Sequence, residues 1–221
     1  MSAAIELDEL LMAHAAGRLA EPVALVVASH LFLSPVSRGR YRFFEAAGGA
    51  LLDKLEPEPV QQDGWGRMSA LLDMSEPEPP PVHAGRRRAV ATDDGLVLPL
   101  PLRAYLPGPV EALPWRNYGP VAEADLPLAD PEFRTRLIRL KAGRSVPRHT
   151  HEGNELTLVL HGSFHDIQGH YRRGDLAIAD AGVDHQPTAD ADGDCLCLAV
   201  TDAPLRLTGS IGRLLNPFLR L

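Results

Sequence analysis

Between Gly143 and Gly162 the chain reads Gly-x5-His-Thr-His-x3-Glu-x6-Gly, with His149, His151 and Glu155 at the centre. On a β-strand, residues two apart project from one face, so His149 and His151 can present two imidazoles to one point. The Gly153-Asn154 turn then sends the chain back and can place the Glu155 carboxylate beside them. A second group, Gly174-x5-Asp180-Ala181-Gly182-x2-His185, offers His185 as a fourth ligand from a later strand pair. Three neutral imidazoles and one carboxylate suit a divalent cation, zinc foremost, with iron, manganese or nickel as alternatives. An isolated His-x-His pair would read as surface loop. Four potential ligands in step with four spaced glycines read as one metal centre.

The surrounding segments are short, β-rich and separated by glycine or polar residues, at the spacing of a sandwich or barrel. Strands are predicted over residues 156–160, 163–167, 175–179 and 194–200, with 97–105 and 134–140 as further candidates. The apolar tail, residues 205–221, is expected either to pack back on the barrel or to cover an apolar patch. His161, His165 and His170 read as polar or surface histidines, although His165 could line the interior. Cys195 and Cys197 share one strand face and read as small packing residues; their spacing could also bring two thiols near a metal or an oxidant. With only these two cysteines, a disulfide scaffold is excluded and a cytoplasmic location is the default.

The first 73 residues have a different character: few prolines and long runs of helix formers. One helix is expected from Asp8 to Ala16, stopped by Gly17. A second follows Pro22 and runs to Leu33. A third, opened by the Ser34-Pro35 pair, runs to Leu55, with Gly48-Gly49 suggesting close packing or a kink. A short fourth covers residues 65–72. Such a unit has a thin core and would gain stability by docking on a partner. The sequence MSEPEPPPV, from Met74 to Val82, cannot continue a helix and reads as a linker. The expected organisation is therefore a helical domain over residues 1–73, a Pro-rich linker over 74–94 and a β-barrel domain over 95–221.

Charge and hydropathy narrow the partners. The formal net charge is −7, which disfavours direct nucleic-acid binding. No apolar run reaches the roughly 18 residues of a membrane span. The acidic start, MSAAIELDELLMAH, lacks the basic region of a secretory signal.

The two histidine-containing groups resemble the paired motifs of the cupin superfamily, small double-stranded β-helix or jelly-roll barrels with a metal in the mouth. The first motif matches at every defining position. In the second, Asp180 stands where proline is usual and Ala189 where asparagine is usual; both departures touch turn shape more than ligation. A helical head ahead of such a barrel resembles the ChrR family of anti-sigma factors. The likeness includes LLMAHAAGRLAEPVALVVASHLFLSPVSRGR, EAAGGALLD and the closing GSIGRLLNPFLRL. It implies a non-enzymatic regulator whose helices sequester an extracytoplasmic-function sigma factor. The metal-binding cupin would sense oxidants such as singlet oxygen. Residues 7–55 would supply the interface, with Leu10, Leu11, Val23, Val27 and Leu31 as candidates that could equally be core.

The family's head holds zinc through an early histidine and a His-x3-Cys-x2-Cys stretch. Here that stretch is His30-x3-Ser34-x2-Ser37, the early position falls near Ile5, and His14 comes too late. Serine hydroxyls stay protonated and are poor zinc ligands. The head is therefore expected to carry no zinc and to rest on apolar packing, with Phe32, Phe43 and Phe44 replacing the metal cross-link. A metal-dependent cupin dioxygenase acting on a small molecule is the alternative reading, and a homodimer is an open alternative for assembly.

Overall fold

The computed structural model describes residues 6–59, 61, 63–74 and 97–209. Ile5, most of the expected linker and the tail beyond Gly209 lie outside the described residues. Met74, assigned to the linker from sequence, is the last residue of a helix.

Helices α1 (Leu7–Ala15), α2 (Glu21–Leu33), α3 (Pro35–Leu52) and α4 (Gly64–Met74) come first. A reciprocal Glu6–Glu9 capping box opens α1, and Pro22 sits in the first turn of α2. Ser34 ends α2 and caps α3, its Oγ accepting the Ser37 N–H at 3.3 Å. Arg38 Nη1 donates to the Leu31 and Phe32 carbonyls at 2.7 and 2.8 Å, satisfying the C-terminal end of α2. The third helix ends at Leu52 rather than Leu55, and nothing packs against Gly48 or Gly49. These glycines mark no close approach.

Residues 97–105, expected as a strand, instead hold a short helix α5 (Leu100–Arg103). Pro99 and Pro101 explain the difference. Proline donates no ladder hydrogen bond but suits a helix's first turn. After a 3-10 turn at Val110–Ala112 come, among the described residues, eleven antiparallel strands. They are β1 (Arg116–Tyr118), β2 (Val121–Asp125), β3 (Arg134–Leu140), β4 (His149–His151), β5 (Glu155–His161), β6 (Ser163–His165), β7 (His170–Arg172), β8 (Leu176–Ala179), β9 (Thr188–Ala189), β10 (Cys195–Thr201) and β11 (Leu205–Leu207). One sheet has the order β1-β2-β3-β10-β5-β8; two smaller ones, β11-β4 and β7-β6-β9, complete the barrel. The start of the apolar tail does return to the barrel, as β11 pairing with β4.

The six-stranded sheet is covered on both faces, and the period of two sorts its residues. Leu156, Leu158 and Leu160 of β5, Leu196, Leu198 and Val200 of β10, and Leu137 of β3 face outward into a core shared with Leu10, Leu11, Leu25, Val26, Val27 and Leu31 of the helices. The alternate residues, among them Val121, Leu140, Val159, Ala177, Cys195 and Cys197, face the barrel interior. The docking partner that a thin helical core calls for is thus, in the first instance, the chain's own barrel. Four of the candidate interface residues, Leu10, Leu11, Val27 and Leu31, are buried in this seam. Val23 is partly buried against it.

His30 closes the seam with hydrogen bonds. Its Nδ1 lies 2.8 Å from the Gly174 carbonyl, just ahead of β8, and its Nε2 lies 2.7 Å from Ser37 Oγ. Ser34 Oγ in turn donates to Ser37 Oγ at 3.1 Å. One tautomer satisfies the whole relay: Nδ1–H donates to Gly174, and the Ser37 hydroxyl donates to Nε2. Gly174 has φ 96° with Leu33 beside it, a backbone state that a side chain would strain. The expected aromatic replacements are not what binds this region. Phe32 and Phe43 are exposed, and only Phe44 packs on the core.

Burial lowers the His30 pKa from its ordinary value, with the Gly174 hydrogen bond and Asp175 opposing. The unfolded chain therefore binds the proton first as pH falls. Stability attributable to His30 is level above the unfolded value of about 6.5 and declines as pH drops below it. Urea denaturation of the wild type and of His30→Ala should differ most near about pH 7, by about 1–3 kcal/mol, and the difference should shrink as pH falls below about 6.5.

Candidate metal centre

Strand β4 puts His149 and His151 on one face, as its pleat requires, and both are buried. His185 is brought beside them by a backbone bridge, in which His149 N–H donates to the His185 carbonyl and the reverse, both at 3.0 Å. Glu155 begins β5 after the Gly153-Asn154 turn. Asp202, from the β10–β11 connection, fixes that turn by accepting from Asn154 N at 2.6 Å and Asn154 Nδ2 at 2.8 Å. Its approach leaves no room for a Cβ at position 153. One nitrogen or oxygen from each of His149, His151, Glu155 and His185 lies within 4.8 Å of the others, so the four residues named from sequence form one buried cluster that could hold a metal.

The hydrogen bonds around the cluster set the tautomers. His149 Nδ1 donates to the Pro147 carbonyl at 2.8 Å, and His185 Nδ1 to Asp166 Oδ2 at 2.7 Å. Both Nε2 atoms are then left with lone pairs, yet they stand 3.1 Å apart. Two lone pairs at that distance repel, and a cation between them removes the conflict. His151 Nε2 is 3.1 Å from His185 Nε2 and 3.6 Å from Glu155 Oε2, while its Nδ1 is buried without a partner. The donor set thus fits a divalent ion on three imidazoles and a carboxylate.

Electrostatics agree. Burial pulls the His149 pKa down, and that of His151 down to about 4, so both are neutral near pH 7. Burial pushes Glu155 upward, but His151, Arg136 and the other two histidines outweigh it and the carboxylate stays ionised. Arg136 is one group that sequence reasoning missed. Its side chain is 3% exposed, with Nη2 3.7 Å from Glu155 Oε1 and Nε 3.8 Å from Glu123 Oε1. Asp166 was also missed; its side chain is 1% exposed and is held by the Gln168 and Gly169 N–H groups.

The weaker candidates fall elsewhere. His165 and His170 are exposed and share Asp190, at 2.9 and 2.6 Å, so His165 does not line the interior. Cys195 and Cys197 are buried thiols with sulfurs 3.6 Å apart. The hydrogen bond to Cys195, and then burial, raise the Cys197 pKa. Asp180, at the usual proline position, makes its own turn by accepting the Gly182 N–H at 2.9 Å.

Comparison with known proteins covers the chain almost end to end. A family model described as the ChrR cupin-like domain matches residues 109–204. The anti-sigma-E factor ChrR of Cereibacter sphaeroides is 39% identical over 215 residues, 97% of this chain and 96% of that protein. The chain belongs to the ChrR family of anti-sigma factors. A crystal structure of Rhodobacter sphaeroides SigE in complex with the anti-sigma ChrR matches with a TM-score of 0.72 and 36% identity, over 91% of this chain and 100% of that one. An RmlC-like cupin from Ralstonia eutropha matches at 20% identity and a TM-score of 0.41, over 50% of this chain and 78% of that one. Helices followed by a cupin-like barrel are thus the ChrR architecture. Membership in a family of regulators, not enzymes, sets aside the dioxygenase reading. Among the described residues, no helix is long and apolar enough to cross a membrane.

Proposed function

We propose that this chain sequesters an extracytoplasmic-function sigma factor in the cytoplasm through its helical head. We further propose that a metal held by His149, His151, Glu155 and His185 makes the barrel responsive to oxidants. The observation that carries the sigma-factor reading is the exposed apolar surface of α3 and α4. Phe43, Leu51, Leu52, Trp65, Met68 and Leu72 are each more than half exposed, and no residue of α4 is buried. A surface of this kind marks an interaction site, and whole-length similarity to an anti-sigma factor supports a sigma factor as its occupant. On this reading the interface uses α3, within the expected residues 7–55, together with α4, while the named candidates on α1 and α2 serve the seam with the barrel. Capture of a sigma factor from the native host by the intact chain tests this reading, and failure to bind any sigma factor removes it.

Zinc is the metal this donor set favours, and it would supply a fixed positive charge that orders the cluster. The head is proposed to hold none, since the His30, Ser34 and Ser37 side chains are engaged with one another. A route from barrel to head runs through β5: Glu155 faces the metal cluster and the next residue, Leu156, packs in the seam with α2. A change at the cluster must favour one state of the head to release its partner. Asp166→Asn removes the carboxylate that orients His185. It should weaken zinc binding about 10–100-fold, measured by competition with a chromogenic chelator.

A further inference from the structure

The barrel interior contains a cavity of about 80 Å³, bordered by the metal cluster at one end and by Arg136 on its wall. One water needs about 10–15 Å³ of such space, so the cavity holds on the order of five waters or one molecule of similar size. Its lining is mostly apolar and includes Val121, Ile138, Leu140 and Phe164.

Arg136 is the anomaly. Among the described residues its Nε is buried with no hydrogen-bond partner, and its two ion pairs, at 3.7 and 3.8 Å, exceed hydrogen-bond reach. Both carboxylates have other claims on them. Glu123 accepts from Arg134 Nη2 at 3.0 Å, and Glu155 turns its other oxygen to His151. Asp166, the remaining buried acid nearby, is bonded to His185 and two backbone N–H groups. A cation at the cluster would draw on Glu155 further, leaving a buried guanidinium under-compensated. Such a group is costly unless a well-shaped acceptor meets its planar fork.

We propose that the cavity binds a short-chain carboxylate, its carboxylate against Arg136 and its aliphatic part among Val121, Ile138, Leu140 and Phe164. The inference rests on the metal reading above, because the cation is what frees Arg136 from Glu155. It adds a small-molecule input to a barrel whose other input is the metal.

The test is calorimetric titration of sodium butyrate into the full-length, zinc-loaded protein, with sodium chloride as control and zinc content measured on the same sample. Saturable butyrate binding is expected. Arg136→Gln should weaken it at least tenfold with zinc content unchanged. Ala177→Leu, which narrows the cavity without touching a charge, should also weaken it, and serves if the Arg136 variant fails to fold. Zinc bound with no butyrate binding overturns the proposal alone and leaves water as the occupant. Binding indifferent to both variants overturns it too, since the site then lies elsewhere. A chain that takes up no zinc defeats the metal reading and this proposal with it, because Glu155 then remains with Arg136.

Discussion

Replacing His149 and His151 together by alanine is expected to leave the barrel without metal and to lower the melting temperature by about 10 °C. Both side chains lie in the buried cluster, and no other residue among those described stands ready to replace them. A ligand bound at about 1,000 times its dissociation constant stabilises by about 4 kcal/mol. For a chain of this size that corresponds to roughly 2–4 °C per kcal/mol. Elemental analysis should give one metal per chain in the wild type and none in the double variant. Unchanged stoichiometry in the variant would refute the ligand assignment. Two metals in the wild type would mean that the head binds one despite Ser34 and Ser37.

The second large effect concerns the head. Leu52→Asp combined with Trp65→Asp should reduce sigma-factor capture by at least about 100-fold while shifting the melting temperature by less than about 2 °C. Leu52 and Trp65 are 67% and 80% exposed, so folding gains little from them. Truncating interface anchors typically costs about 2 kcal/mol or more each, and introduced charge adds desolvation. Leu11→Asp is the control. Leu11 is fully buried, so that change should unfold the protein and lose capture for a different reason. Capture by the double variant at wild-type affinity would place the partner on another surface.

The cluster of three histidines and one glutamate was legible from sequence because its spacing follows strand geometry: i and i+2 on β4, then a turn, then Glu155. Its supports were not. Asp202 reaches the Gly153-Asn154 turn from 48 residues away, and Asp166 reaches His185 across 19. Contacts of that range leave no local pattern. Arg136 did leave one. In β3, RTRLIRL, it shares parity with Ile138 and Leu140, which line the barrel, so an inward charge could have been read there. The helices were legible in extent but not in orientation. Helix α2 is apolar almost all round, and sequence periodicity does not tell which side meets a sheet. The strand expected over residues 97–105 failed because the alternation of leucine and proline mimics a strand pattern while removing its donors.

The seam between helices and sheet has a consequence for how such a protein can change. The outward leucines of β5 and β10 are each worth roughly 1.5–3 kcal/mol of burial, and the head covers them together with Leu98, Leu102, Val110 and Leu113 of the segment ahead of β1. A lineage that discarded the helices would bare part of an apolar sheet face unless it first repainted that part with polar residues. Exchanging heads between relatives would need matching leucine for leucine. Head and barrel are therefore heritable as one unit, and divergence has most freedom where neither rests on the other: the outer sides of α3 and α4, and the lining of the barrel.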